Sequence, residues 1–182
     1  VDAAGNVFVM DDNFNLDERK DASPHTVSSG AYGWYHLRAL GSGARSDHDF
    51  DGDGCPDVLA RRPNGDLDLY RGACRPGFRD DGVQVGNDWS GLDALMLSPD
   101  FDGDGCADVI GRDAAGDLLL YGGNCAGGFA SEGVTLGLGW GGFDVLLAPG
   151  DLDGDGRSDL VGRDAAGRLR LCDGHGDGGF AR

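Results

Sequence analysis

The hexapeptide Asp-Phe/Leu-Asp-Gly-Asp-Gly begins at Asp49, Asp100 and Asp151, so the chain repeats itself with a step of 51 residues and no slip. Trp89 and Trp140 keep that step, as do Phe78, Phe129 and Phe180, Tyr70 and Tyr121, and Gly65, Gly116 and Gly167. Register this strict across unlike residue types marks a duplicated structural unit rather than a compositional bias. The segment Asp2-Ala-Ala-Gly-Asn-Val-Phe-Val-Met10 matches Asp113–Tyr121 position for position, so the first unit is entered halfway. It is longer than the others by 9 residues, inserted on both sides of Trp34. The expected organisation is one domain in four parts: 1–48, a partial first unit with insertions and the start of the second; 49–99; 100–150; and a truncated 151–182.

Within a unit, four short strands are expected, around Leu95–Ser98, Asp108–Arg112, Asp117–Tyr121 and Gly133–Gly137. Asp66-Leu-Asp-Leu69 and Arg168-Leu-Arg-Leu171 alternate polar and apolar with period two, as strands with one buried face do, and Asn64-Gly65 and Ala115-Gly116 supply the preceding turns. Glycine at 35 of 182 residues fits a chain with many tight turns, and no helix-length periodic segment is found. Four antiparallel strands per unit of about 50 residues is the build of a β-propeller blade. The fold class is therefore all-β, with about 3.5 repeats. By this count there are 13 strands, so two chains bring 26, near the 28 of a seven-bladed ring. Either a homodimer completing a propeller or a fragment of a longer one is expected.

The acidic loop is the chemical signature. Asp49, Asp51, Asp53 and Asp57 recur as Asp100, Asp102, Asp104 and Asp108, and as Asp151, Asp153, Asp155 and Asp159. Four carboxylates within nine residues repel one another unless a cation gathers them, and the intervening glycines let the chain coil around one hard ion. Calcium suits such a site, because it takes several oxygen ligands in flexible geometry, whereas magnesium demands a stricter octahedron. About three ions per chain are expected, with position 7 (Cys55, Cys106 or Arg157) giving a backbone carbonyl. A helix-flanked calcium loop of the EF-hand type needs an acid at position 12, where this chain has Ala60, Gly111 and Gly162. The bland alternative is a solvated acidic turn that binds nothing. Asp11, Asn13, Asn15 and Asp17 form a poorer copy, with Leu16 in place of glycine, and read as ordinary loop.

These loops, with the following Val109-Ile-Gly-Arg-Asp or Leu160-Val-Gly-Arg-Asp and then Gly-x-Leu-x-Leu, resemble the FG-GAP or VCBS-type repeats of integrin alpha-subunit propellers and secreted bacterial proteins. The resemblance implies a seven-bladed propeller with calcium between the first two strands of a blade. Gly111-Arg112-Asp113 and Gly162-Arg163-Asp164 stand where integrin repeats carry Gly-Ala-Pro, which is closer to the bacterial form.

Cys55 and Cys74 are 19 apart, as are Cys106 and Cys125, and in the third copy both positions change together, to Arg157 and Gly176. Joint loss points to joint use, so two disulfides are expected; four buried free thiols are the alternative. Cys172 takes the place of Tyr70 and Tyr121 and is expected unpaired and half-buried. Trp34, Trp89 and Trp140 suit either blade-core packing or stacking on sugar rings. Arg61, Arg112 and Arg163 suit pairing with neighbouring acids or clamping a carboxylate.

The charge of −17, from 32 acids against 15 Lys and Arg, disfavours nucleic acid and anionic membrane surfaces. At 40% apolar residues the chain is too rich for a disordered acidic tail, and it has no apolar run near the roughly 18 residues of a membrane span. His25, His36, His48 and His175 fall outside the repeat register, and neither a Gly-x-Ser-x-Gly elbow nor a zinc-spaced cluster is present. The expectation is a non-enzymatic, secreted, calcium-binding adhesion module whose partner is a glycan or an extracellular protein. An accessory domain of a secreted hydrolase and a structural spacer are the alternatives. The start at Val1 is expected to mark a mature or excised piece.

Overall fold

The computed structural model describes residues 48–180, so the expected first partial unit, Trp34 and the Asp11–Asp17 loop lie outside the described residues. Ten strands follow in order: β1 Val58–Arg61, β2 Leu67–Tyr70, β3 Val83–Gly86, β4 Leu92–Ser98, β5 Asp108–Asp113, β6 Leu118–Tyr121, β7 Val134–Gly137, β8 Phe143–Gly150, β9 Asp159–Asp164 and β10 Leu169–Cys172. Single 3-10 turns, Trp89–Gly91 and Trp140–Gly142, lead into β4 and β8, and the described residues contain no α-helix.

The turn chemistry explains the hairpins. Between β5 and β6 the Asp113 carboxylate accepts from the N–H groups of Ala115 and Asp117, both at 2.9 Å, while Gly116 N–H donates to the Asp113 carbonyl at 3.0 Å. An aspartate that closes its own turn stops one strand and starts the next. Asp164 does the same between β9 and β10, accepting from Ala166 and Arg168.

The strands form three antiparallel sheets, β1-β2-β3, β4-β5-β6-β7 and β8-β9-β10. The middle sheet is a complete four-stranded blade, in register through Met96 opposite Ile110 and Ile110 opposite Leu120. Its side chains alternate between two cores. Leu95, Leu97 and Val109 meet Leu59, Leu67 and Leu69 of the first sheet, whereas Ala94, Met96, Ile110, Leu118 and Leu120 meet Leu146, Ala148 and Leu160 of the third. This double burial is why β4 reads as a nearly continuous apolar run rather than an alternating one. Each fully buried Leu or Ile contributes about 1.5–3 kcal/mol, so the blades are held face to face chiefly by these two layers.

The second and third sheets each begin one strand before their acidic loop, at Leu92 and Phe143, and so straddle the repeat boundaries at 99/100 and 150/151. Three of the 13 expected strands fall outside the described residues, and the described sheets do not close into a ring.

Candidate metal centre

The second and third acidic loops join β4 to β5 and β8 to β9, the first two strands of their sheets, and the first loop leads into β1. In the middle copy, Asp100 accepts from Gly103 N–H at 2.6 Å with one oxygen and from Gly105 N–H at 2.9 Å with the other. Asp102 accepts from Asp104 N–H at 3.1 Å, and Asp104 from Cys106 N–H at 2.8 Å. The chain therefore winds around its own carboxylates. Gly52 and Gly103 are required in this winding: both have positive φ, and a Cβ would come within 2.4 Å of the Cys125 or Gly176 carbonyl of the next blade.

The last aspartate of the motif has a second job. Asp108 is fully buried; its Oδ2 accepts from the N–H groups of Phe101 (2.8 Å) and Asp102 (3.2 Å), and its Oδ1 from Gly123 (3.0 Å). Asp57 repeats this with Phe50, Asp51 and Gly72, and Asp159 with Leu152 and Gly174. One side chain thus ties the start of the loop to the segment after the third strand of the blade.

Sequence spacing offers four carboxylates per loop, and the structure brings three of each set within 4.8 Å of one another. These are Asp49, Asp51 and Asp53 in the first loop, Asp100, Asp102 and Asp108 in the second, and Asp151, Asp153 and Asp159 in the third. Asp57, Asp104 and Asp155 stand outside the sets. At position 7, Cys55, Cys106 and Arg157 each donate a backbone N–H to the position-5 aspartate. Burial pushes the Asp57 and Asp108 carboxyls up to about 6, against backbone N–H bonds that pull them down. Asp51 and Asp102 are raised too, first by burial and then by the adjacent Asp53 and Asp104. An all-oxygen donor set in which burial and neighbouring acids raise Asp51, Asp102 and Asp108 suits a hard cation, whose charge would offset that penalty.

Both expected disulfides are formed, Cys55–Cys74 and Cys106–Cys125. They lie just beyond the ladder that ends at Val58 opposite Tyr70, and tie the end of the acidic loop to the turn after β2 or β6. Cys74 and Cys125 have φ of 52° and 53°, and the equivalent Gly176 has 68°. Where the bridge is lost, glycine therefore takes over the left-handed position without strain. Cys172 is free and half-buried, and burial pushes its thiol up.

Trp89 and Trp140 sit in the blade cores. Trp89 is 8% exposed, with Tyr121 at 4.5 Å and Phe129 at 5.0 Å between ring centroids; Trp140 is half-buried against Phe180 at 4.9 Å. The arginines do two things at once. Arg112 grips Asp93 with Nε (2.7 Å) and Nη2 (3.2 Å), and reaches into the next blade with Nη1, to the carbonyls of Trp140 (3.1 Å) and Phe143 (2.6 Å). Arg61 repeats the reach to Trp89 and Leu92, and Arg163 repeats the grip on Asp144. The grip follows from the sequence pattern, but the reach does not, because it depends on how one blade faces another.

Two further arginines belong to the first loop only. Arg71 lies 3.5 Å from Asp51, and Arg79 pairs with Asp53 while its Nη2 approaches the Cys55 sulfur at 3.5 Å. Their one trace in the sequence is a break of register: the same positions hold Gly122 and Ala130 in the next copy.

Antiparallel sheets packed face to face, with an acidic loop leading into each of β1, β5 and β9, define a β-propeller-type repeat protein with loops able to hold metal ions. Residues 100–162 match the family model of the FG-GAP-like repeat, which supports an FG-GAP-type repeat in this stretch of the chain. No curated protein and no solved structure matches it. No helix among the described residues is long and apolar enough to cross a membrane.

Proposed function

We propose that this chain is a secreted, non-catalytic binding and adhesion module whose blades are held by calcium, with a glycan or an extracellular protein as its partner. The observation that carries the reading is the threefold recurrence of three converging carboxylates at one place in the blade. Held by these carboxylates, calcium would supply the positive charge that offsets their mutual repulsion. The chain's own residues do the rest: Asp49, Asp100 and Asp151 coil the loop, and Asp57, Asp108 and Asp159 fasten it to the blade.

Two disulfides support an oxidising, extracellular setting. The charge of −17, of which three dications offset about six, supports a neutral sugar or a basic protein surface as the partner rather than a polyanion. The test is calorimetric titration of chelator-treated protein with calcium and magnesium, followed by a glycan array with and without EDTA. About three calcium sites, magnesium binding more weakly, and glycan capture lost in EDTA are expected. Absence of calcium binding overturns the metal reading, and an array silent in calcium overturns the glycan half.

A further inference from the structure

The three copies differ at two positions that lie beyond the acidic motif itself. The residue directly after β2 is Arg71, where the other copies have Gly122 and Asp173, and eight residues on Arg79 faces Ala130 and Ala181 in the alignment. The second loop shows what borders the first of these positions. A Cβ on Gly122 would lie 3.4 Å from Asp102 Oδ2 and 3.9 Å from Asp108 Oδ1, two of the three carboxylates that converge there. A side chain at this place therefore starts beside the oxygens that would take a metal ion, and glycine leaves that space open.

In the first loop the space is bordered by cations. Arg71 Nε lies 3.5 Å from Asp51 Oδ2 and 3.8 Å from Asp80 Oδ2, and Arg79 Nη1 pairs with Asp53 Oδ2. Asp51 and Asp53 are two of the three converging carboxylates of that loop. Among the described residues, none of the six carboxylates in the other two sets has such a pair: Arg112 takes Asp93, Arg163 takes Asp144, and Arg157 takes Asp155, which stands outside the third set. The first set also differs in membership. It uses the fifth-position Asp53, held by Arg79, where the others use the buried last aspartate, Asp108 or Asp159.

We propose that Arg71 and Arg79 set the calcium affinity of the first loop, their guanidinium groups serving as a built-in cation, so that this loop fills only after the second. The proposal rests on the calcium reading of the loops and names the residues that make the sites unequal. A guanidinium on a carboxylate is a charge-assisted partner that a dication must displace or approach against like charge. Both arginines are partly exposed, at 40% and 47%, so solvent screens them and the handicap is about tenfold in dissociation constant. The second loop is the matched comparison, because it shares the disulfide and lacks the arginines.

The test follows backbone amide resonances of the chelator-treated 182-residue chain during titration with calcium chloride. Gly52 and Gly54 N–H donate to Asp49, and Gly103 and Gly105 N–H to Asp100, so each pair reports its own loop. Gly103 and Gly105 are expected to shift first, and Gly52 and Gly54 at about tenfold higher calcium. Arg71→Gly with Arg79→Ala gives the first loop the residues of the second. The backbone suits the change: Arg79 N–H donates to the Arg71 carbonyl at 2.9 Å, as Ala130 N–H does to Gly122 at 2.8 Å. In this variant, whose folding a melting curve checks, the two loops should titrate together. Ala130→Arg carries the effect the other way and should delay Gly103 and Gly105. Equal titration of the two loops in the unaltered chain, a lag that persists in the double variant, or no delay from Ala130→Arg overturns the proposal. Loops that ignore calcium altogether overturn the calcium reading, and the proposal with it.

Discussion

The first and third acidic loops follow the same winding and differ in what braces it. Around Asp49–Asp57, Cys55 is bonded to Cys74, and Arg71 and Arg79 lie against Asp51 and Asp53. Around Asp151–Asp159 the cysteine positions hold Arg157 and Gly176, and Arg157 reaches only the exposed Asp155, at 3.5 Å. Asp49 is buried where Asp151 is exposed. One repeat thus carries two grades of loop, one held by covalent and internal ionic braces and one that lacks them. The middle loop, with a disulfide and no arginine, is the natural intermediate.

The largest effect is expected where the loops do not differ. Asp57→Ala and Asp159→Ala each strand buried backbone N–H groups and should cost about 3 kcal/mol or more in urea unfolding. Similar losses would place the difference between the loops in the braces, whereas a wide gap would show that it reaches the buried clamp. Next comes the covalent brace. Replacing Cys106 and Cys125 by alanine should cost about 3 kcal/mol by the loop-entropy argument. Conversely, Arg157→Cys with Gly176→Cys should raise the melting temperature of the third blade, offset by about 1 kcal/mol for a non-glycine residue at positive φ.

Chelation separates the two grades directly. At calcium a hundredfold above its dissociation constant each site adds about 2.7 kcal/mol, so its removal should lower the melting temperature. Hydrogen exchange in EDTA should quicken first at Gly154 and Gly156 and last at Gly52 and Gly54. Simultaneous loss in all three loops would show that the braces do not grade the sites. The smallest effect is expected from Arg79→Ala, worth about 0.5–1 kcal/mol at a partly exposed pair, with tighter calcium binding at the first loop as the competing cation is removed.

Much of this architecture is legible in the sequence because the repeat aligns chemistry with geometry. A period of 51 residues locates the strands, and the joint replacement of both cysteines in the third copy, by Arg157 and Gly176, locates the bridges in the other two. What escapes is whatever depends on the facing of blades. Arg112 looks like an ordinary partner for Asp93, and its bonds to the Trp140 and Phe143 carbonyls arise only when the third sheet is in place. Arg71 and Arg79 escape because they occur in one copy, so comparison of copies treats them as noise. The dual role of the last aspartate escapes because spacing shows that a carboxylate is present but not which backbone groups it holds.

The uniform junction also bears on how such a chain changes its length over generations. The middle blade carries one complementary half on each side, so duplicating a stretch one period long that holds it keeps the reading frame and returns each half to a match. Loss of a period is equally silent at the surviving contacts. Blade number is thus free to drift by unequal recombination, while the residues that join one blade to the next stay under the same selection at every copy.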